Sequence, residues 1–554
     1  MSDSVESTRR EFLGGVAATI AAGALPHSGP AFAESKRPPN ILWIMTDEQR
    51  TDTLGCYGNP WAKSPNLDRL ASTGVMFRNA FVQSPICMPS RSAMLTGKYG
   101  HTCEMLMNGY SLNVTSWHRK QIADALEKMG PDEFNRRVKK LGSEAAKKFQ
   151  GKYTADLPVA FERNFGEAIL MATLNRELGL IGQGPQHKMF PEIFAESGYR
   201  TTHIGKLHHG SPHSGFQKTI QQPDHEHAWW FGLRKGYDVE EHNVLSYPGG
   251  AIFAGTFPAL ASETTSGKWT DIAIERLKQQ TDQPFLLRLS LRSPHTPVLP
   301  PKPFDSMFDP EDMPIPHPTR EELAKMSLYD RGQLPNLFDT EQTHRVWASY
   351  FGLASFVDNQ IGRLLDALAA SPHADNTIVV FNSDHGTMLG EHELLQKSVF
   401  YYLSARVPLI ISWPGRIPEG KKVDDLVELI DVAPTLFDLA GMNTPADMEG
   451  QNLRNTMNGT GNPRDAVFSE IYTGKCDMDW LRGEAPGSIR RMIRTEQWCF
   501  AMNYPEDPLY GPDGSLYNVA EDPDEVRNLY YDRKYRDVIV KLRKQLVDWV
   551  EAQL

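Results

Sequence analysis

Short, continuously apolar runs recur along the chain, and each of them ends on residues that can carry chemistry. The runs are residues 40–46, 201–204, 285–291 and 377–382. A continuous apolar run of this length is typical of a β-strand that is buried on both faces. Helical patterns fill the intervals between the runs, so the sequence predicts a mostly parallel sheet covered by helices on both sides.

Apolar residues at helical spacing predict the covering helices. They are expected at residues 91–96, 191–198, 347–368 and 425–439, with a further strand near residues 408–413. Residues 111–187 have a charged, helical pattern and separate two apolar runs by more than a strand connection needs. We interpret this segment as an insertion near the mouth of a pocket, with extra packing on the core as the alternative.

The pattern changes after residues 459–463, a stretch rich in glycine and asparagine. Short alternating strands follow, with turn signals at residues 503–505 and 512–514. A terminal helix then carries apolar residues on one face, namely Tyr535, Val538, Ile539, Leu542, Leu546, Trp549 and Val550. The sequence therefore predicts a main α/β domain over residues 34–460 and a small antiparallel sheet with one helix over residues 461–554.

The first 33 residues have the features of an export signal. Arg9 and Arg10 precede a weakly apolar stretch of small residues, and Ala31-Phe32-Ala33 matches a cleavage site. Paired arginines in this position are typical of a twin-arginine signal. We expect a signal peptide over residues 1–33 and a periplasmic or secreted bacterial protein, with a disordered basic N-terminus as the alternative.

Composition limits the classes of partner. The 554-residue chain has a formal net charge of -11 and no basic stripe, so nucleic acid is not an expected partner. A small anionic substrate would require basic residues to converge in one pocket. The five cysteines are too few for a disulfide scaffold, and no C-x-x-C pair suggests structural zinc. Their odd number leaves one thiol without a partner, and Cys87 is the candidate.

Charged and imidazole side chains cluster where the apolar runs end. They are Asp47, Glu48, Lys206, His208, His295, Asp384 and His385. Ligands bind at the carboxyl ends of the strands in parallel sheets. The carboxylates of the pairs Asp47-Glu48 and Asp384-His385, at one edge of the sheet, favour a hard divalent cation such as Ca²⁺. Mn²⁺ is an alternative because His385 offers a nitrogen donor, and Mg²⁺ is a further alternative. Either pair taken alone could instead cap the helix that follows it, since such carboxylates are common helix caps.

Cys87 lies in a loop, residues 84–90, directly before the predicted helix at residues 91–96. The helix N-terminus and Arg91 both favour negative charge next to this cysteine. Such a setting would suit a thiolate of low pKa. A buried, inert cysteine is the alternative interpretation.

Residues 87–98, CMPSRSAMLTGK, resemble the signature of the sulfatase family, C-x-P-S-R followed by four residues and T-G-[KR]. The acidic pair at residues 47–48 and the segment GKLH at residues 205–208 resemble two further family motifs. The remaining matches are SPH at residues 293–295, DHG and GEH within residues 384–392, Lys397, and the C-terminal segments at residues 516–518, 522–525 and 528–529. The resemblance covers nearly the whole chain except the insertion, and it implies an alkaline-phosphatase-like fold.

The resemblance also implies a reaction. In the sulfatase family a dedicated enzyme oxidises the signature cysteine to formylglycine, whose hydrated aldehyde attacks a sulfate ester. The implied metal ligands are Asp47, Glu48, Cys87, Asp384 and His385. The implied roles of the other residues are to hold the nucleophile and sulfate (Arg91, Lys206), to protonate the leaving alcohol (Lys397 or His295), to remove a proton as sulfate leaves (His208) and to support substrate binding (Lys98).

Two positions depart from the family pattern. Glu48 stands where the second acid is usually aspartate, and His385 stands where many sulfatases have asparagine. Choline sulfatases and phosphonate monoester hydrolases resemble the chain at His385, so a phosphonate monoesterase or phosphodiesterase is the alternative activity. A non-catalytic anion- or glycan-binding protein with an unmodified Cys87 is the rival of a different class. The expected partners are a small aryl, alkyl or carbohydrate sulfate, the formylglycine-generating enzyme and the twin-arginine export machinery.

Overall fold

The structure is a computed structural model. It describes residues 37–103, 187–209, 214–222, 244–246, 252–279, 282–314, 319–333, 335–472, 489–504 and 513–553, with isolated positions between 105 and 136. The predicted signal peptide lies outside the described residues, as does the predicted insertion apart from isolated positions. No helix among the described residues is both long enough and apolar enough to cross a membrane.

The strands of the described residues are β1 (Asn40–Asp47), β2 (Val75–Phe81), β3 (Arg200–Gly205), β4 (Lys218–Ile220), β5 (Leu245–Ser246), β6 (Ile252–Ala254), β7 (Phe285–Pro294), β8 (Thr377–Ser383), β9 (Met388–Leu389), β10 (Leu395–Gln396), β11 (Arg406–Ser412), β12 (Lys421–Glu428), β13 (Val467–Tyr472), β14 (Ile489–Arg494), β15 (Trp498–Asn503) and β16 (Gly514–Asn518). The α-helices are α1 (Pro65–Ser72), α2 (Cys87–Thr96), α3 (Phe190–Glu196), α4 (Thr265–Leu277), α5 (Arg320–Ala324), α6 (Leu328–Arg331), α7 (Thr340–Ala369), α8 (Tyr402–Ala405), α9 (Val432–Leu439), α10 (Arg454–Asn458) and α11 (Arg536–Glu551).

Eight strands form the central sheet in the order β12-β2-β11-β8-β1-β7-β3-β4. The four predicted apolar runs became β1, β3, β7 and β8, which are neighbours and run parallel. Strand β11, predicted near residues 408–413, runs antiparallel to β2 and β8. The mostly parallel sheet predicted from the sequence is therefore confirmed.

Helices cover both faces of this sheet because alternate residues of β1 point to opposite sides. Ile44 packs in one core with α4 and α7, which contribute Trp269 and Phe351. Trp43 packs in the other core with Phe190 of α3 and residues of α9. Both cores are built from closely packed hydrophobic side chains, so the carboxyl edge of the sheet can hold side chains in fixed positions.

One predicted helix is partly wrong. Residues 425–428 belong to strand β12, and only Val432–Leu439 of the predicted helix at residues 425–439 is α-helical. The pairing of β12 with β2 shifts register between Val423 and Leu426. This irregularity breaks the alternation of a strand, and the apolar residues therefore repeat at a spacing that resembles a helix.

The C-terminal part forms a four-stranded antiparallel sheet, β13 to β16 in sequence order. Helix α11 buries Leu542, Leu546, Trp549 and Val550 against this sheet. The predicted small sheet with one helix is confirmed. The division into domains at residue 460 stays a prediction.

Candidate active site

The ends of β1 and β8 place the pairs Asp47-Glu48 and Asp384-His385 side by side. Thr46 pairs with Ser383 in the parallel register of these strands, and the Asp384 amide donates to the Thr46 carbonyl at 3.2 Å. The Glu48 amide in turn donates to Asp384 Oδ1 at 3.0 Å. Two segments that are more than 330 residues apart in the sequence are thus locked together by main-chain groups.

Cys87 is the first residue of α2, and every residue of this helix is buried. The prediction that the helix begins at Arg91 is wrong, because it begins four residues earlier. Pro89 does not prevent this, since the first turn of a helix leaves its N–H groups without intrahelical partners and a proline lacks only such a group. Cys87 therefore lies at the positive end of the helix dipole, and not in a preceding loop.

Four side chains could hold a metal ion. One donor atom from each of Asp47, Cys87, Asp384 and His385 lies within 4.8 Å of the others, and all four residues are buried. His385 Nε2 is 3.1 Å from Cys87 Sγ, whereas His385 Nδ1 is 2.8 Å from the Gly386 carbonyl. When Nδ1 donates a hydrogen bond to this carbonyl and His385 is neutral, the lone pair of Nε2 faces the cluster. Two carboxylates and the imidazole nitrogen of a deprotonated His385 would form a donor set that suits a divalent cation, and the cation would displace the imidazole proton.

Arg91 holds the two carboxylates of this cluster. Its Nε donates to Asp384 Oδ2 at 2.7 Å, and its Nη2 donates to Asp47 Oδ2 at 3.0 Å. Its Nη1 donates to the Lys206 carbonyl at 2.8 Å and to Ser290 Oγ at 2.9 Å. The guanidinium is fully buried. Arg91 therefore positions Asp47 and Asp384, and the protein itself engages each of its guanidinium nitrogens.

The remaining predicted basic residues contact the cluster or Glu48 next to it. Lys206 forms an ion pair with Asp47, and Lys397 Nζ lies 3.1 Å from Glu48 Oε2. His295 Nε2 lies 3.3 Å from the same Glu48 oxygen. The His208 ring hydrogen-bonds the Cys87 thiol. An acidic protein thus gathers four basic side chains around one thiol.

Lys98 is the predicted site residue that the structure places elsewhere. It follows the C-terminal end of α2 and pairs with Asp447 at 2.7 Å. A ten-residue helix is about 15 Å long, so the length of α2 separates Lys98 from Cys87. Its ion pair with Asp447 connects α2 to the segment after α9.

Electrostatics favour negative charge at position 87. Burial alone would raise the pKa of the Cys87 thiol, but Lys206, Lys397 and His385 hold it well below its ordinary value. Burial likewise opposes the Asp47 carboxylate, and Lys206 nevertheless keeps the pKa of Asp47 low. Asp384 and the Cys87 thiolate raise the pKa of His385 to about 9 against the effect of burial. The site can therefore hold an anionic ligand in a buried place.

Three supporting residues were missed by the sequence analysis. Ser290 Oγ accepts a hydrogen bond from Arg91. Two hydroxyl groups donate to Glu48: Thr387 Oγ1 to its Oε1 at 2.8 Å, and Tyr350 Oη to its carbonyl at 2.7 Å. Tyr350 also accepts a hydrogen bond from the Arg50 amide at 3.0 Å. Ser290 did leave a signal, because it is a polar residue inside an apolar run. Tyr350 left none, since its aromatic ring matches the core pattern of α7.

Comparison with known families gives matches along most of the chain. A family model described as Sulfatase matches residues 39–132 and 151–442. A second model, described as N-sulphoglucosamine sulphohydrolase, C-terminal, matches residues 390–552. Every predicted active-site residue, from Asp47 to Lys397, lies within the ranges that the first model matches.

Individual relatives agree with the family models. An arylsulfatase from Clostridium perfringens is 28% identical over 93% of this chain and 95% of its own length. An N-acetylglucosamine-6-O-sulfatase from Bacteroides thetaiotaomicron is 24% identical over 95% of this chain and 87% of its own. Among solved structures, the phosphonate monoester hydrolase of Agrobacterium radiobacter superposes with a TM-score of 0.68 at 23% identity, covering 93% of this chain and 96% of that one. At that identity the likeness concerns the fold.

Proposed function

Since the chain belongs to the sulfatase family and is therefore a sulfuric ester hydrolase, we propose that its nucleophile is formylglycine made from Cys87 and that a calcium ion completes the site. The observation that carries this proposal is the convergence of Cys87 with Asp47, Asp384 and His385 at the start of a buried helix. A formylglycine-generating enzyme must then act on this chain.

The proposed metal ligands are Asp47, Asp384, His385 and the side chain at position 87. Their donor atoms already lie within 4.8 Å of one another, and the buried Arg91 guanidinium forms ion pairs with both carboxylates. A bound divalent ion would neutralise charge on a sulfate oxygen and favour the ionised form of the nucleophile. Mn²⁺ and Mg²⁺ are the alternatives to Ca²⁺, and the histidine donor favours Mn²⁺ of these two.

The side chains around the cluster would stabilise the charge of the substrate and transfer protons. Lys206 and Lys397 supply positive charge to an anionic ester that the protein's net charge would otherwise repel. Lys397 or His295 donates a proton to the oxygen of the leaving alcohol. His208, hydrogen-bonded at position 87, removes a proton there when sulfate is released. Arg91 keeps both carboxylates in place, and Lys98 supports α2 from its far end.

We propose a small sulfated substrate, an aryl, alkyl or carbohydrate sulfate. The relatives with the names arylsulfatase and N-acetylglucosamine-6-O-sulfatase support both small and sugar-based esters. A phosphonate monoesterase or phosphodiesterase is the second candidate. His385 and the fold shared with a phosphonate monoester hydrolase favour it, but the sulfatase relatives favour sulfate esters.

A substrate panel with and without calcium tests the proposed activity. We expect the purified protein to hydrolyse para-nitrophenyl sulfate faster than phenylphosphonate monoesters or phosphodiesters. Chelation should lower the sulfatase rate by about 10²-fold or more, because charge stabilisation on the sulfate is lost, and added Ca²⁺ should restore it. Faster phosphonate turnover would favour the second candidate, and a rate unchanged by chelation would contradict the metal.

We also propose export by the twin-arginine route to the periplasm or the medium. In a fusion of residues 1–40 to a reporter, changing Arg9 and Arg10 to lysine should abolish export, since lysine does not replace the paired guanidinium groups that define this signal. Cell fractionation measures the effect, and Arg37→Lys in the same fusion is the matched control. Export of the double-lysine reporter at the control level would contradict the route.

A further inference from the structure

The Glu48 main chain is hydrogen-bonded to the four-residue cluster, and its side chain contacts Lys397, His295 and Thr387. Glu48 is buried and has a φ of 66°, a left-handed conformation that is strained for glutamate. Its amide is held by Asp384 and its carbonyl by Tyr350. These two hydrogen bonds, one at the amide and one at the carbonyl of Glu48 itself, fix the direction in which its side chain leaves the main chain.

Both carboxylate oxygens of Glu48 already have partners. Oε1 accepts the Thr387 hydroxyl hydrogen bond at 2.8 Å. Oε2 lies 3.1 Å from Lys397 Nζ and 3.3 Å from His295 Nε2. Burial opposes the charge on Glu48, but Lys397 and His295 hold the pKa of Glu48 below its ordinary value. One oxygen atom thus lies between the two side chains that are candidates for donating a proton to the leaving group.

Glu48 is not part of the group formed by Asp47, Cys87, Asp384 and His385. Among the described residues, its carboxylate lies in a second set with Asp47 and His295, whose donor atoms are within 4.8 Å of one another and could also hold a metal ion. Ligation by Glu48 is therefore the alternative that a test must decide. The extra methylene of glutamate carries the carboxylate one bond farther from the strand end than an aspartate would reach. The lysine, the histidine and the hydroxyl use about three of the roughly four lone-pair sites of the Glu48 carboxylate.

We propose that Glu48 is a positioning residue that holds Lys397 and His295 at a fixed spacing on the leaving-group side and does not ligate the metal ion. This inference rests on the proposed sulfatase function. Without the carboxylate, Lys397 and His295 would lose their common anchor, and a protonated His295 would be repelled by Lys397. Proton donation to the leaving oxygen depends on such placement within hydrogen-bond reach.

The test separates metal binding from proton donation by comparing Glu48→Gln with Asp384→Asn. Glutamine keeps the size of the side chain and removes its charge. We expect Glu48→Gln to bind Ca²⁺ within about 3-fold of wild type by titration calorimetry, whereas Asp384→Asn, which removes the charge of a direct ligand, should weaken binding by at least about 10-fold. Asp358→Asn is the matched control, because Asp358 is a buried carboxylate that caps α1 through Asn66 and Leu67. It should change neither the Ca²⁺ affinity nor kcat.

Leaving-group dependence provides the second measurement. Glu48→Gln should lower kcat for an alkyl sulfate by about 10²-fold, because an alkoxide leaves poorly without a proton. For para-nitrophenyl sulfate, whose leaving group is a weak base, the loss should stay below about 5-fold. A merely structural defect would slow both substrates equally. Thr387→Val, which removes the hydroxyl on Oε1, should show the same dependence with a smaller amplitude, and it carries the test if Glu48→Gln does not fold.

Two results would overturn the inference. The first is a loss of Ca²⁺ affinity in Glu48→Gln that equals the loss in Asp384→Asn, which would make Glu48 a ligand. The second is an equal fall in kcat for both sulfates. If the wild-type protein hydrolyses no sulfate ester, the proposed function fails, yet the calorimetric comparison still decides whether Glu48 binds the ion.

Discussion

Replacing Cys87 by alanine should reduce sulfate-ester hydrolysis to background, a loss of about 10⁶-fold in kcat, as for other enzymes that lose a covalent nucleophile. The change removes the atom from which the nucleophile is made. The fold should persist, because alanine is well tolerated in the first turn of a helix and the lost side chain is small. Steady-state kinetics and a thermal unfolding curve, measured on the same preparation, test both statements.

Cys87→Ser is the control for this experiment. Serine keeps a hydroxyl at the same place and nearly the same volume, so it tests whether a plain hydroxyl can act in this setting. Mass spectrometry of the peptide that contains residue 87 should find an aldehyde in the wild-type protein and an unmodified side chain in the serine variant. Full activity in protein whose position 87 is entirely thiol would contradict formylglycine.

Arg91→Met should give the largest loss of stability. The substitution keeps the length and apolar stem of the side chain but removes the charge that Asp47 and Asp384 share. Asp384 then loses its arginine partner and Asp47 keeps only Lys206, and breaking a buried ion pair in this way typically costs about 3–5 kcal/mol of unfolding free energy. Denaturant titration without Ca²⁺ measures this loss, and Ca²⁺ should recover part of it because the ion would neutralise the same carboxylates.

Arg69→Met is the matched control, since Arg69 forms an exposed ion pair with Asp366 at 2.7 Å. Exposed pairs of this kind contribute at most about 1 kcal/mol. If Arg91→Met and Arg69→Met unfold at the same denaturant concentration, the buried guanidinium does not hold the cluster together. Activity should also separate them, because only the Arg91 variant displaces the proposed metal ligands.

The four central strands could be predicted because burial on both faces leaves a continuous apolar run. Strand β2 could not, since Arg78 is exposed and Asn79 half-buried within it and both interrupt the run. The direction of β11 could not be predicted either, because apolar periodicity is the same for a strand and for its reverse. The sequence therefore predicts the strands at the centre of the sheet more reliably than the identity and direction of the strands nearer its edge.

The candidate active site was likewise predictable only in part. Convergence of Asp47, Asp384 and His385 was predictable, because the carboxyl ends of parallel strands meet at one edge. The direction of the Glu48 carboxylate was not, since it depends on a left-handed main chain held by Tyr350, a residue some 300 positions away. The position of Cys87 within α2 was also missed, because a proline two residues later is equally common in loops and in first turns.

The complete burial of α2 has a consequence for how the enzyme matures. Cys87 is only 1% exposed, and the nine residues that follow it are buried as well. A modifying enzyme would need access to the thiol, so the proposed conversion of Cys87 would have to precede the packing of this helix into the folded protein. A thiol that escaped oxidation at that stage would then stay buried in the native state. Specific activity would then report the competition between oxidation and folding in the cell, and slower folding during synthesis would yield a more active preparation.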